Sequence, residues 1–436
     1  MCTPAGATLP ALTHWWGARM TEPIVKQSCA GTADFVDAAV AGIGLVPLFQ
    51  PIVTLCDGKT VGYEALARWP SLAHLRPSVV FERAAASGRL AQLDQACTSA
   101  ALSAALQAGL GPHQFLMINC EPGTAPLRCG DDELMERAGN ELRLVFEITE
   151  RSLLTHPKAL LQKVAAMRSD RFAVALDDVG ANPDSLALLD VLAPDIIKLD
   201  IDLVQSRLSD RGARICAGVL AHRERTGAVI LAEGVETDAH LERALAVGAT
   251  LGQGFRFGAA APLSPGAPSS WSLPTGLRRE QSIAGSPFDV VRHHSPVRTA
   301  RRSTVLALSH HVESLATPAF DPPILLSALQ HRKHFTETTR DRYRKLAERS
   351  VLVAVFGEML PSDLGRGVRS VTLDSADPLG NEWTVIALGP HISAALIARE
   401  QPGSTGRNGD REFDMVLTYD RKLVTAAARA LMYRLV

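Results

Sequence analysis

Six apolar runs in the first 263 residues each stop on a side chain that can bind a cation or carry a proton. FLMI stops at Asn119, RLVF at Glu147, FAVAL at Asp177 and Asp178, DII at Lys198, AVILA at Glu233, and a final short run at Gln253. An earlier run, VGYEALAR, carries Glu64. One Glu after a strand is ordinarily a helix cap or a solvated loop residue. Capping does not account for consecutive apolar runs that all end in a carboxylate, an amide or an ammonium. Apolar neighbours imply burial, and clustered buried carboxylates repel unless a cation neutralises them. Glu, Asp and Asn oxygens without His or Cys are hard ligands, which favour Mg²⁺ or Mn²⁺ over zinc. The adjacent pair Asp177-Asp178 can bridge two metals about 3.5–4 Å apart, an arrangement suited to in-line displacement at phosphorus. Cleavage of a phosphodiester is the chemistry expected.

These residues must be positioned by regularly repeating elements. The terminators lie 28, 30, 21, 35 and 20 residues apart, about one strand–helix–loop unit each. Between the runs sit alanine- and leucine-rich stretches of helical period, such as 92–110 and 240–247. Strands alternating with helices imply a parallel sheet. About 230 residues of this pattern suit an α/β (β/α)8 barrel of TIM type, in which strand C-terminal ends converge on one face. LVPLFQPIV and VGYEALAR are separated only by the turn-like Cys56-Asp57-Gly58-Lys59. A hairpin is expected there, giving the barrel one irregular antiparallel strand.

Composition divides the chain into 1–33 (an N-terminal extension expected to be poorly ordered), 34–263 (the barrel), 264–303 (a linker rich in Pro, Gly, Ser and Arg) and 304–436 (a smaller α/β domain). Net charge is −1, so the chain is no polycation seeking nucleic acid or anionic lipid. No apolar run approaches the roughly 20 residues of a spanning helix. The first 31 residues contain no h-region with a cleavage site, and Met20 offers a second start. Seven cysteines without a C-x-x-C fit a reducing cytoplasm rather than a disulfide framework or a zinc ribbon.

Taken in order, the motifs resemble the EAL domains, phosphodiesterases that linearise the bacterial messenger cyclic di-GMP. The residues are Phe49-Gln50-Pro51-Ile52, Gly62-Tyr63-Glu64-Ala65-Leu66-Ala67-Arg68, Asn119, Glu147-Ile148-Thr149-Glu150, Asp177-Asp178, Lys198-Leu199-Asp200, Glu233-Gly234-Val235-Glu236 and Gln253-Gly254. The resemblance implies that Glu64, Asn119, Glu147 and Asp177 hold a first Mg²⁺ or Mn²⁺. Asp177 would bridge to a second with Asp178, and Glu233 would either complete that shell or act as general base. Lys198 would position the attacking water, and Gln253 the nucleophile or substrate. Arg68 would contact a phosphate, beside Gln50 and Leu66 against the nucleotide. Glu150 and Glu236 would support the loop after the Asp pair, and the barrel offers a homodimer surface. The implied reaction is metal-dependent hydrolysis of cyclic di-GMP to linear pGpG, with no nucleic-acid or membrane partner.

One loop departs from the family. Where EAL enzymes usually read D-D-F-G-x-G-Y-S-S-L, this chain reads Asp177-Asp178-Val179-Gly180-Ala181-Asn182-Pro183-Asp184-Ser185-Leu186. The alternative function is therefore a catalytically weak barrel that binds the nucleotide and signals through a partner. The C-terminal region, through Leu308-Ser309-His310-His311, Val355-Phe356-Gly357, Asp377-Pro378-Leu379, Glu382-Trp383, Leu388-Gly389-Pro390-His391 and Thr418-Tyr419-Asp420-Arg421, resembles the DICT sensory domain. It is expected to tune the barrel in response to an unknown signal or protein partner. The basic stretch from His331 to Arg349 is interrupted by Glu337, Asp341 and Glu348 and reads as a solvated helix, and Trp383 is expected in a core or an interface.

Overall fold

Eight strands carry the apolar runs, and their burial explains why those runs close on themselves. The computed structural model describes residues 29–121, 124, 133–149, 156–181, 185–267, 270–273, 285–317, 321–402 and 411–435. In chain order β1 (Val46–Thr54), β2 (Thr60–Arg68), β3 (Phe115–Asn119), β4 (Arg143–Thr149), β5 (Ala173–Val179), β6 (Ile196–Leu199), β7 (Val229–Ala232) and β8 (Leu251–Gly252) form a closed barrel. β1 runs antiparallel to both β2 and β8, the expected irregularity, and every other pairing is parallel. The IIKL of β6 and the VILA of β7 are buried at every position, as strands of a parallel sheet covered on both faces must be.

The covering layer follows from the helical stretches. α1 (Cys29–Val40) precedes the barrel, and α2 (Pro77–Ala86) and α3 (Leu90–Gln107) join β2 to β3. α4 (Glu133–Glu141), α5 (Pro157–Ser169) and α6 (Ser185–Leu192) precede β4, follow β4 and follow β5 respectively. α7 (Ile201–Gln205) and α8 (Asp210–Thr226) follow β6, and α9 (Asp238–Ala246) follows β7. Ile52, Val61, Met117, Val145, Ile196 and Leu231 fill the barrel interior below the strand ends that carry the polar residues.

The second unit is built on one seven-stranded sheet. Its elements are α10 (Pro287–Val291), β9 (Arg298–Arg301), α11 (Arg302–Leu315), β10 (Ile324–His331), α12 (Glu337–Ala347), β11 (Leu352–Glu358), β12 (Val368–Leu373), β13 (Glu382–Leu388), β14 (Ser393–Glu400), β15 (Glu412–Thr418) and α13 (Arg421–Met432). Strand order is β12-β11-β10-β13-β14-β15-β9. Side chains alternate across it. Leu325, Val353, Val385 and Leu396 pack with Val305, Val312 and Tyr343 of α11 and α12. Ile324, Leu326, Ile386 and Ile397 share the opposite core with Val424, Ala428 and Leu431 of α13. The basic stretch forms α12, capped by Thr336 and laced by the Arg340–Glu337 pair at 2.9 Å.

Part of the stretch read as a linker is structured. Trp271 packs 5.9 Å from Phe115 between ring centroids, and Leu273 is buried in the barrel interior. Glu382, fully buried, accepts from Ser286 Oγ and from the Phe288 backbone N–H at 3.2 Å, fixing α10 to the sheet. β9 pairs with β15. Of the N-terminal extension, 1–28 lie outside the described residues, and α1 packs Val36, Ala39 and Val40 against Trp69, Val80 and Leu93. Among the described residues no helix is long and apolar enough to cross a membrane.

The two units share one apolar core, because the outer face of α6 and α13 bury each other. Polar contacts of Arg421 and Arg429 cross between the units, and contacts within the barrel brace the same helix. Asp190 of α6, nearly buried, meets Arg421 Nη1 at 2.5 Å, His222 Nδ1 at 3.0 Å and Arg225 Nη2 at 3.2 Å. Arg429 Nε donates to the Val191 carbonyl at 2.7 Å, and Arg168 Nη2 to those of Leu192 and Ala193 at 2.6 Å each. Carbonyls at a helix C-terminus have no partner within the helix, so these guanidiniums satisfy them. Burial acts to raise the Asp190 pKa, but His222, Arg421 and Arg225 hold it well below the usual carboxylate range.

A carboxyl whose pKa falls on folding stabilises above its unfolded pKa and loses that contribution as pH drops. Asp190→Ala is therefore expected to cost about 3 kcal/mol near neutral pH. The gap to the unsubstituted protein should narrow below about pH 4. Denaturant melts across that range check both the size and the trend.

Candidate active site at the strand ends of the barrel

Lys198 organises the mouth of the barrel. It is the penultimate residue of β6, is 1% exposed, and sits among four carboxylates. Its Nζ lies 2.5 Å from Glu147 Oε1, 2.7 Å from Glu233 Oε1, 3.0 Å from Asp177 Oδ1 and 3.7 Å from Glu64 Oε2. Each acid comes from a different strand or strand end, so barrel closure brings them together. Glu147 stands directly beside Asn119, and Thr149 beside Asp177. Glu64 instead comes from the hairpin, opposite Gln50.

Two amides separate the charges. Asn119 Nδ2 donates to Glu64 Oε1 at 3.2 Å. Gln253 Nε2 donates to Glu64 Oε2 at 2.6 Å and to Gln50 Oε1 at 3.0 Å, while Gln50 Nε2 donates to the Gly258 carbonyl at 3.2 Å. Both Glu64 oxygens are thus held from known directions.

Asp177 and Asp178 reach the same mouth although neighbours on a strand normally face opposite ways. The β5–β6 register shifts between Leu176 and Val179, and Asp178 adopts φ +52°. Asp tolerates this left-handed region better than most residues, and the irregularity re-aims its side chain. One carboxylate oxygen from each of Asp177, Asp178 and Glu233 lies within 4.8 Å of the other two. Gly180 follows at φ +116°, where an added Cβ would meet Leu203 Cδ1 at 2.4 Å, so glycine is required by conformation and by space.

The electrostatics follow from counting charges. One ammonium faces four carboxylates in a poorly solvated site. Lys198 is kept charged: burial acts to lower its pKa, but Glu147, Glu233, Glu64 and Asp177 raise it well above the usual value. Glu147 is raised well above the carboxylate range by burial, with Lys198 opposing and Glu64 and Asp177 adding. Glu233 is pushed up to about 8 by burial and by Asp177 and Glu64, against the pull of Lys198. Asp177 falls below its usual value, because Lys198 and its hydrogen bonds outweigh burial. The ring is short of positive charge. Glu147 Oε2 and Gln253 Oε1 are moreover buried without a hydrogen-bond donor among the described residues. Oxygen-only donors with unmet demand for a cation fit hard divalent ions.

Beside the ring lies a cavity of about 470 Å³, lined by Leu66, Arg68, Asn119 and Asp178. Arg68 donates to the Ala67 carbonyl at 2.9 Å. Glu236 is exposed near the start of α9, where its backbone N–H donates to His240 Nδ1 at 3.3 Å. Glu150 and residues 182–184 lie outside the described residues.

Sequence reasoning missed a second polar group behind the cavity. Asp94, buried on α3, accepts from Thr124 Oγ1 at 2.7 Å and from the Glu121 backbone N–H at 3.1 Å. Lys163 of α5, 1% exposed, donates to Thr124 Oγ1 at 2.7 Å and to the Glu121 carbonyl. Together they pin the chain just after Asn119. The available signal was a carboxylate on the apolar face of α3, beside Leu93 and in line with Ala101, Leu102 and Ala105.

With this geometry in place, comparison with known proteins is specific. The family model described as "EAL domain" matches residues 35–260, more than half of the chain. A second, described as "Sensory domain in DIguanylate Cyclases and Two-component system" (DICT), matches residues 290–401. Over 222 residues, 49% of this chain and 44% of the relative, it is 30% identical to the probable cyclic di-GMP phosphodiesterase PdeG of Escherichia coli. Over 221 residues, 48% of this chain and 55% of the relative, it is 30% identical to the cyclic di-GMP phosphodiesterase RocR of Pseudomonas aeruginosa. The chain spans about half the length of these two relatives. Among solved structures, a calcium and cyclic di-GMP complex of Klebsiella pneumoniae BlrP1 is similar at TM-score 0.44 and 29% identity, covering 51% of this chain and 58% of that one.

Removing the ammonium would leave four carboxylates facing one another. In metal-free buffer, Lys198→Met is expected to cost about 3 kcal/mol or more at pH 7. Acids whose pKa is raised on folding bind more protons when folded, so the penalty should shrink toward pH 5. Melts of both proteins at the two pH values check this, and an equal penalty at both would contradict the charge count.

Proposed function

The chain belongs to the EAL family, and we propose that its barrel is a metal-dependent phosphodiesterase that hydrolyses cyclic di-GMP to linear pGpG in the cytoplasm, tuned by its C-terminal unit. The observation that carries this reading is the convergence of Glu64, Asn119, Glu147, Asp177, Asp178 and Glu233 at one barrel mouth, with buried oxygens lacking donors. Those six residues would hold two divalent ions, Mg²⁺ or Mn²⁺. When bound, such ions polarise a phosphoryl oxygen and lower the pKa of water.

The remaining work falls to the chain's own groups. Lys198 keeps the carboxylates together and offers an N–H to a water or phosphoryl oxygen at the ring centre. The Gln253 carbonyl oxygen, without a donor, can accept from the attacking water. Glu233, at the end of β7 and 2.7 Å from Lys198 Nζ, would hold an ion or take a proton from the attacking water. Arg68, on the cavity wall, offers a two-pronged contact to the second phosphate, with Leu66 against a base and Gln50 beside the ligand. Water adds to one phosphorus, the bond from that phosphorus to the 3′ oxygen breaks, and a linear dinucleotide with a 5′ phosphate results.

Regulation has a physical route. α6 begins seven residues after Asp178 and is gripped through Asp190 and Val191 by α13. α13 thus holds the helix that follows the Asp pair in the chain. A second copy docking on the barrel would use a face other than that of α6, which α13 covers.

A second reading, nucleotide binding without turnover, is favoured by the departure at Val179–Asp184, since this stretch follows directly on the ligand pair. Incubating the full chain with cyclic di-GMP and Mg²⁺ or Mn²⁺ separates the two. Stoichiometric pGpG is expected. No product under either metal, with retained binding in Ca²⁺, would establish the second reading instead. Glu64→Ala should abolish product formation. Arg68→Ala should raise KM by about tenfold or more with kcat largely kept, as loss of a charge-assisted contact outside the reacting centre implies.

A further inference from the structure

A cavity of about 250 Å³ lies in the C-terminal unit, between α11, α12 and the sheet face opposite α13. Its lining is nearly one-signed. Arg302, Arg342 and Arg411 reach it, against one acid, Glu313. That acid is already committed: it is 3% exposed, accepts from Tyr343 Oη at 2.8 Å and pairs with Arg342 Nε at 2.6 Å. Arg411 is likewise held by Glu400, and its Nη2 donates to Gln330 Oε1 at 2.9 Å. The Arg302 guanidinium has no partner among the described residues and is only partly exposed. It is the cation left over for a guest.

Three further features mark a built site. The Trp383 indole N–H is buried without an acceptor among the described residues, a cost of about 1–3 kcal/mol. Gln330, on the wall, sits at φ +64° where the β10–β11 register shifts between Ala328 and His331. A non-glycine residue in that region is strained by about 1 kcal/mol, and such strain clusters at ligand sites. The first turn of α12, capped by Thr336, also opens on the cavity, and its free N–H groups favour negative charge. Leu306, Leu329 and the Trp383 ring supply apolar surface. The volume lies below the roughly 300–1,000 Å³ of pockets for drug-sized ligands and well above that of a bare inorganic anion.

We propose that this cavity is the ligand site of the sensory unit, and that its ligand is a small aromatic carboxylate. The carboxylate pairs with Arg302 near the α12 N-terminus, and the ring lies against Leu306, Leu329 and Trp383. This assignment is independent of the barrel's activity and is read by binding alone.

Calorimetric titration of the full chain with 4-hydroxybenzoate, salicylate and indole-3-acetate tests it, with 4-hydroxybenzamide and inorganic phosphate as controls. At least one of the three carboxylates is expected to bind saturably, and the neutral amide to bind about tenfold more weakly or not at all. Arg302→Ala should weaken the carboxylate about tenfold or more while leaving the melting midpoint close to that of the unsubstituted protein. Trp383→Leu, which removes the aromatic face, should weaken it as well. Absence of saturable binding by all three carboxylates, equal affinity for the amide, unchanged affinity in Arg302→Ala, or binding of phosphate alone would each overturn the proposal.

Discussion

Four carboxylates held around one buried ammonium constrain everything else at the barrel mouth. Such a cluster survives in an apolar barrel only if most of its oxygens are directed and the charge is partly offset. Lys198 supplies the offset, and the amides of Asn119 and Gln253 supply direction by holding both oxygens of Glu64. The parallel strands provide the convergence, since each delivers one residue at its C-terminal end. The bulge at Asp177–Asp178 is the exception that adds a second acid from a single strand. The charge deficit that remains, visible in the raised pKa of Glu147 and Glu233, is what makes the proposed divalent ions fit.

The same bulge ties the site to the rest of the molecule. Gly180, whose conformation and close contact with Leu203 admit no side chain, anchors the start of the loop after the Asp pair. The loop leads into α6, and α13 holds α6 by its Asp190 side chain and its C-terminal carbonyls. The sheet of the sensory unit has α13 on one face and the arginine-lined cavity on the other. The cavity and the barrel are therefore separated by one sheet and the α6–α13 pair, with an apolar core continuous across the domain boundary.

The barrel was legible because parallel strands buried on both faces read as unbroken apolar runs, and because their polar terminators recur at the length of one unit. The antiparallel β1 was legible from a four-residue turn. The ring residues Glu64, Asn119, Glu147, Asp177, Asp178, Lys198, Glu233 and Gln253 do meet at one mouth. What escaped is what sequence period cannot carry. β9, the polar strand RTAR, has no apolar pattern and takes its place through backbone pairing with β15. Trp271 and Leu273 stand in a Pro- and Ser-rich stretch, yet pack into the barrel. Asp94 and Lys163 pair with the chain after Asn119 from two distant helices, and no local spacing announces that. Trp383 reads as a core aromatic, and only the fold reveals that its N–H is left without an acceptor beside a cavity.

The central claim, that the carboxylates around Lys198 form a two-cation site, is tested most directly by electron paramagnetic resonance of Mn²⁺ titrated into the metal-free full chain. Two tightly held ions per chain are expected, with the spectrum of a spin-coupled pair, and loss of that coupling in Asp177→Asn. A titration giving only the signal of free aqueous Mn²⁺, or a single uncoupled ion that Asp177→Asn does not affect, would contradict it.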